Sequence, residues 1–191
     1  DAQGRLRPAL EQVSERADVL LLAGDLTRHG TTAEARIVAP EFRDLGLPIY
    51  AVLGNHDYHS DAVDEMTEIL FGESGIRVLE GEGVVLPVNG RRVGIAGVKG
   101  FGGGFEGRCA SAFGEPEMKA FVDHTAEVAD RLRSALKSLD ADVRVALMHY
   151  SPIPDTLHGE PLEIYPFLGA YQLGEVVDET ETTLALHGHA H

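Results

Sequence analysis

With 191 residues, 43% of them hydrophobic and 25% charged, the chain has the balance of a globular protein and the length for one domain with a substantial core, which excludes a disordered tail and a disulfide-stapled mini-protein. The single cysteine, Cys109, excludes an intrachain disulfide, and no apolar run approaches the roughly 18 residues of a membrane span. The 16 Lys and Arg against 31 Asp and Glu give a formal net charge of −15, which repels polyphosphate and argues against a non-specific nucleic-acid binder while leaving small substrates open.

Strand and helix signals alternate along the chain. Residues 6–17 predict a helix, and the unbroken apolar run 18–23 a parallel strand covered on both faces. Thr31 or Thr32, with Glu34 in the first turn, predicts a capped helix running to about Leu45. A second buried strand follows at 48–53. Ser60 or Asp61 is expected to cap a helix that Gly72 ends. The runs 84–88 and 91–98 flank Asn89-Gly90, the signature of a type I′ hairpin. Residues 100–107 are glycine-rich and read as a mobile loop near the substrate, with Phe101 and Phe105 offering apolar contacts. A long helix is predicted from Pro116 to about Leu139, with Phe121, Val128, Leu132, Ala135, Leu136 and Leu139 on one face. Then come a strand at 143–148, an irregular loop at 152–166, a short helix at 172–179 and a last strand at 183–186. The pattern is one α/β domain over residues 1–191. The chain opens on a helix and stops on a histidine directly after a strand, so both ends look cut.

The chemistry collects where strands end. Gly24-Asp25 follows the first strand and Gly54-Asn55-His56-Asp57 the second. His149 follows the third, and His187-Gly188-His189-Ala190-His191 the last. In open α/β sheets, ligands sit outside the carboxyl ends of the strands, so these side chains are expected to converge. Mixed oxygen and imidazole donors without thiolate suit Mn, Fe or Zn in a reactive rather than a structural site. A carboxylate such as Asp25 can bridge two such cations.

Gly24-Asp25, Gly54-Asn55-His56-Asp57, His149 and Gly188-His189-Ala190-His191 resemble, in order, four of the five signature blocks of the calcineurin-like metallophosphoesterases. The resemblance implies a four-layer α-β-β-α sandwich of two mixed sheets flanked by helices. It implies two divalent metal ions, with Asp25 bridging, Asn55, His149 and His189 completing one ion site, and His191 belonging to the other. His56 would meet the substrate phosphate and assist the leaving group, with Asp57 orienting its ring. The implied reaction is hydrolysis of a small phosphodiester or phosphomonoester by metal-activated hydroxide.

The fifth block, Asp-x-His on an opening strand, has no counterpart: Asp1-Ala2-Gln3-Gly4 shares its outline but not its histidine. That block is expected upstream of residue 1, and the domain is expected to lack its first strand and its C-terminal strands. The residues present would then hold one ion site nearly whole and the other in part, so hydrolysis by this stretch alone is doubtful.

The competing readings are a DNA-directed nuclease of the same superfamily, which the acidic balance opposes, and a non-catalytic metal-binding scaffold, which has no use for His56 and Asp57. His187 reads equally as support for the site or as packing. His29, His59, His124 and His158 read as surface residues, with His59 near enough to touch substrate. Cys109 has no base placed beside it. No apolar leader segment follows Asp1-Ala2-Gln3-Gly4-Arg5, and a cytoplasmic protein without membrane or nucleic-acid partners is expected.

Overall fold

Strands β1 (Leu20–Ala23) and β2 (Ile49–Val52) form where the sequence runs apolar, and they pair in parallel with Leu20 opposite Ile49 and Ala23 opposite Val52. The computed structural model describes residues 4–190, and the chain divides into two compact units at Leu79/Glu80.

In the first unit, β3 (Ile76–Val78) extends the parallel sheet in the order β1-β2-β3. Central β2 is wholly buried, whereas β1, at the sheet edge, is only half-buried. The predicted opening helix forms as two short pieces, α1 (Arg7–Leu10) and a 3₁₀ turn at Val13–Glu15. No residue of α1 is fully buried, so little packing sustains a longer helix. Its first amides instead donate to the Glu41 carboxylate, Leu6 N–H at 3.0 Å and Arg7 N–H at 2.8 Å. Those donors and the Gly4 amide hold the Glu41 carboxyl below its ordinary range.

The second helix, α2 (Thr32–Phe42), carries the expected capping box. Thr31 Oγ accepts from the Glu34 amide and the Glu34 carboxylate accepts from the Thr31 amide. It stops short of Leu45, two residues after Pro40, which has no N–H to continue the ladder. In α3 (Val63–Ser74), Gly72 is interior and Gly75 ends the helix, with a left-handed φ of 74° that suits a residue without Cβ. Neither Ser60 nor Asp61 caps it. The N-cap is Ala62, and the Ser60 hydroxyl donates to the His29 carbonyl. Ala35, Ala39 and Phe42 of α2, Met66 and Leu70 of α3, and Ile49, Ala51 and Ile76 of the sheet make the core of this unit.

The second unit is built on β4 (Glu82–Val88) and β5 (Arg91–Val98), an antiparallel pair joined through Asn89 (φ 50°) and Gly90 (φ 78°), both left-handed as a type I′ turn requires. β8 (Val143–Met148) and β9 (Leu184–Leu186) add in parallel, giving a mixed sheet of order β4-β5-β8-β9. The glycine-rich stretch folds into a ribbon of β6 (Gly104–Phe105) and β7 (Arg108–Cys109). Its expected role as a mobile apolar loop is not what the structure shows. Phe105 is buried with Leu157, Tyr165 and Leu168, and Phe101 packs on the Phe121 ring at 5.1 Å.

Helix α4 (Pro116–Ser138) lays Val128, Leu132, Ala135 and Leu136 on Ala96, Val98, Ala146 and Met148 of the sheet. The irregular 152–166 loop ends in α5 (Tyr165–Leu168), and α6 (Tyr171–Glu179) adds Leu173 and Val176 to the same core. Among the described residues, no helix is long and apolar enough to cross a membrane.

Candidate functional site

Because β1 and β2 end in register, Gly24-Asp25 and Gly54-Asn55-His56-Asp57 leave the first sheet side by side. Asp25 adopts a left-handed backbone (φ 52°), unusual for a residue with a side chain. Its Oδ1 accepts from the His56 amide at 3.1 Å. Gly54 makes this placement possible, since a Cβ there would stand 2.0 Å from Asp25 Oδ1 and 2.4 Å from Asp25 N. Asn55 and His56 are exposed at the strand end.

Asp57 is fully buried and its two oxygens take four donors. These are the amides of Leu26 (3.1 Å), Thr27 (2.8 Å) and Gly54 (2.8 Å), and the Thr27 hydroxyl (2.7 Å). A carboxylate offers about four lone-pair sites, and these contacts use that capacity. The expectation that Asp57 orients the His56 ring is therefore corrected. It is the Arg28 carbonyl that meets His56 Nδ1, at 2.9 Å. The physical reason is local: both residues lie in a 3₁₀ turn (His56–Tyr58), where successive side chains point about 120° apart. Asp57 turns inward as His56 turns out.

In the second unit, β8 and β9 also end in register, Leu147 opposite Leu186, so His149 and the His187–His189 stretch emerge together. His149 is buried, and its amide donates to the Lys99 carbonyl. The Gly188 amide in turn donates to the His149 carbonyl. His189, left-handed at φ 72°, brings its Nδ1 to 3.0 Å from His149 Nε2. Its Nε2 faces the Phe167 carbonyl at 3.2 Å. A carbonyl only accepts, which assigns the proton to Nε2 and leaves Nδ1 with a lone pair in the neutral ring. His149 Nε2 either donates its own N–H to that lone pair or, as the other tautomer, turns a second lone pair to the same point, where a cation would take both. With the two nitrogens 3.0 Å apart, both could reach one ion at the ordinary metal–nitrogen distance of about 2.1 Å. The Phe167 carbonyl is the backbone partner that ligating histidines commonly keep on the other nitrogen. On this observation the pair fits a divalent metal, and both rings offer a ligand nitrogen.

The other sequence candidates separate. Both nitrogens of His187 are engaged, Nδ1 with the Gly188 carbonyl and Nε2 with the Thr156 hydroxyl, so its ring ties the loop after β9 to the 152–166 segment. His59 lies against His29 and His124 against Phe101. His191 and Asp1-Ala2-Gln3 lie outside the described residues.

Sequence patterning does not single out Lys99, yet it follows β5 at the same sheet edge as His149. It is nearly buried, with Nζ 5.0 Å from the Phe101 ring centre and 5.2 Å from that of Tyr150. Burial pushes its pKa down and that of neighbouring Glu80 up. The strand-end rule, extended to the hairpin's second strand, is the signal that finds it.

Solved structures similar to this chain share its fold. A phosphopantetheinyl hydrolase from Mycobacterium tuberculosis aligns with 100% of this chain and 79% of its own, at TM-score 0.71 and 17% identity. The Thermus thermophilus protein TT1561 aligns with 98% and 77%, at TM-score 0.55 and 18% identity. A putative 5'-nucleotidase from Staphylococcus aureus, solved with alpha-ketoglutarate, aligns with 96% of this chain and 39% of its own, at TM-score 0.58 and 13% identity. No curated protein matches the chain. The sequence matches the calcineurin-like phosphoesterase description over residues 2–191, and the chain belongs to the calcineurin-like phosphoesterase family.

Proposed function

We propose that this protein hydrolyses a small phosphodiester or phosphomonoester with the help of two divalent ions of the Mn, Fe or Zn type. The observation that carries the reading is the approach of His149 Nε2 to His189 Nδ1 at 3.0 Å, with the far nitrogen of His189 turned to a carbonyl. In this reading, as the motif resemblance implies, Asp25 and Asn55 would add oxygen donors, Asp25 as the bridging ligand, and His191 a further imidazole. When bound, such ions supply Lewis-acid charge for phosphate oxygens and for activating water.

The chain's own residues do the rest. The left-handed turn at Asp25 and the bare Gly54 beside it fix the carboxylate. The Arg28 carbonyl occupies Nδ1 of His56, so that ring meets substrate through Nε2, and in its protonated form donates a proton to the leaving oxygen. Asp57 holds the two loops together beneath it. The protein is read as cytoplasmic, with a small phosphorylated substrate as its partner and no membrane or nucleic acid.

Two variants made in the full-length protein test the reading, with metal analysis and turnover of bis-p-nitrophenyl phosphate in Mn²⁺ as readouts. Asp25→Asn is expected to lose both metal and turnover. His56→Gln is expected to keep metal and lose on the order of 10²–10⁴ in kcat, the usual worth of a positioned proton donor. Two metals retained in Asp25→Asn would refute the bridging role, and full turnover in His56→Gln would remove it from the reaction.

A further inference from the structure

Tyr150 has no part in the chemistry above, yet its ring packs against both imidazoles of the candidate metal pair. The ring centre lies 4.5 Å from that of His189, with the planes 38° apart, and 5.6 Å from that of His149, edge to face at 85°. The two imidazoles are themselves 4.7 Å apart, so the three rings close a triangle. Successive side chains on a strand point to opposite faces, and Tyr150 would turn away from His149 if β8 ran on. Instead, the Lys99 carbonyl accepts from both the His149 amide (2.9 Å) and the Tyr150 amide (3.0 Å), and the chain bends there as it leaves the strand.

Tyr150 is held in its turn. It is buried, with Lys99 Nζ 5.2 Å and the Phe101 ring 6.1 Å from its ring centre. His189 needs such a support. The hydrogen bond to the Phe167 carbonyl fixes one atom of the imidazole, Nε2, and leaves the ring free to tilt about it. The Nδ1 lone pair lies in the ring plane, so the tilt decides where that lone pair points. The left-handed backbone of His189 (φ 72°) is likewise a conformation that its surroundings must hold. A packed ring beside the imidazole supplies the missing constraint.

We propose that Tyr150 is a positioning residue for the metal site: its ring sets the plane of the His189 imidazole and so keeps Nδ1 turned towards Nε2 of His149. This rests on the phosphoesterase reading above. An imidazole bound to a divalent ion carries more positive charge than a free one, and a tyrosine ring at this separation favours that charge.

The probe is Co²⁺, whose visible absorption follows its coordination geometry, added to the full-length protein and to its Tyr150→Leu and Tyr150→Phe variants. Tyr150→Leu is expected to bind Co²⁺ about 10–100-fold more weakly in calorimetric titration, the usual worth of a group that supports a metal ligand, and to show an altered visible band at saturation. Tyr150→Phe, which keeps the ring, is expected to match the unaltered protein in both. An unchanged affinity in Tyr150→Leu overturns the proposal and leaves the phosphoesterase reading standing. Weaker binding with an unchanged band assigns Tyr150 to general stability, and equal losses in the two variants assign the effect to its hydroxyl; either result also overturns the proposal. If the unaltered protein binds no Co²⁺, the phosphoesterase reading itself falls. Should Tyr150→Leu fail to fold by circular dichroism, near-UV tyrosine absorption decides. Co²⁺ loading is expected to change it in the unaltered protein and not in Tyr150→Phe, and an equal change in both overturns the proposal.

Discussion

The Asp57 carboxylate accepts from Thr27 twice, from the amide at 2.8 Å and from the hydroxyl at 2.7 Å, across 30 positions of sequence. With the Gly54 amide on its other oxygen, it ties the loop after β1 to the loop after β2. Asp25 and His56 hang on those same loops, so the precision of the exposed groups rests on a buried one.

Removing that tie has a predictable cost. Asp57→Ala leaves buried amides and a hydroxyl without an acceptor, and a group of this kind is worth about 3–5 kcal/mol. Asp57→Asn keeps one acceptor oxygen and should lose less. Urea denaturation followed by circular dichroism measures both, and an unchanged midpoint for Asp57→Ala would show that the clamp contributes nothing.

Gly54→Ala tests the close approach to Asp25. The new methyl cannot occupy a position 2.0 Å from Oδ1, so the carboxylate or the loop must move. We expect a stability loss of about 1–3 kcal/mol, the usual scale for overpacking, together with at least a tenfold weaker metal affinity. Calorimetric metal titration of the variant decides it, and affinity equal to that of the unaltered protein would show that Asp25 is not held by this contact.

Glu34 makes an acid-sensitive contribution. Partial burial opposes its ionisation, but hydrogen bonds from the hydroxyl and amide of Thr31 and from the ring and amide of His29 outweigh it, bringing its pKa from 4.5 to about 2. A carboxyl lowered on folding adds stability that is fully present above the unfolded value and is lost as pH falls through the folded one. The loss attributable to Glu34 therefore spans pH 4.5 down to about 2. Glu34→Gln should remove that dependence, and Thr31→Ala should weaken it while costing about 1 kcal/mol near neutrality as a lost cap. Unfolding midpoints from pH 7 to pH 2 provide the check, and identical pH profiles for Glu34→Gln and the unaltered protein would refute it.

Much of the fold was legible where a local pattern was strong. Asn89-Gly90 announced its hairpin, α4 its apolar stripe, and Thr31 with Glu34 the start of α2. The pattern failed where it was short or locally ambiguous. β3 spans only three residues, Gly72 and Gly75 look alike as helix stops, and 6–17 has helical spacing but too little buried surface to stay helical throughout. At the site, the residues after β1, β2, β8 and β9 were named from strand ends alone. The same rule, not extended to β5, left Lys99 out.

By itself the sequence determined which side chains stand at strand ends, because the alternation of apolar runs and turn residues is a local property of the chain. Only the tertiary structure decided what those side chains touch. Asp57 faces Thr27 rather than the His56 ring, His189 turns one nitrogen to His149 and the other to Phe167, and Phe105 goes to a core instead of a substrate. Each outcome depends on a partner well away in sequence, and its position is set by strand register and packing, which no local pattern records.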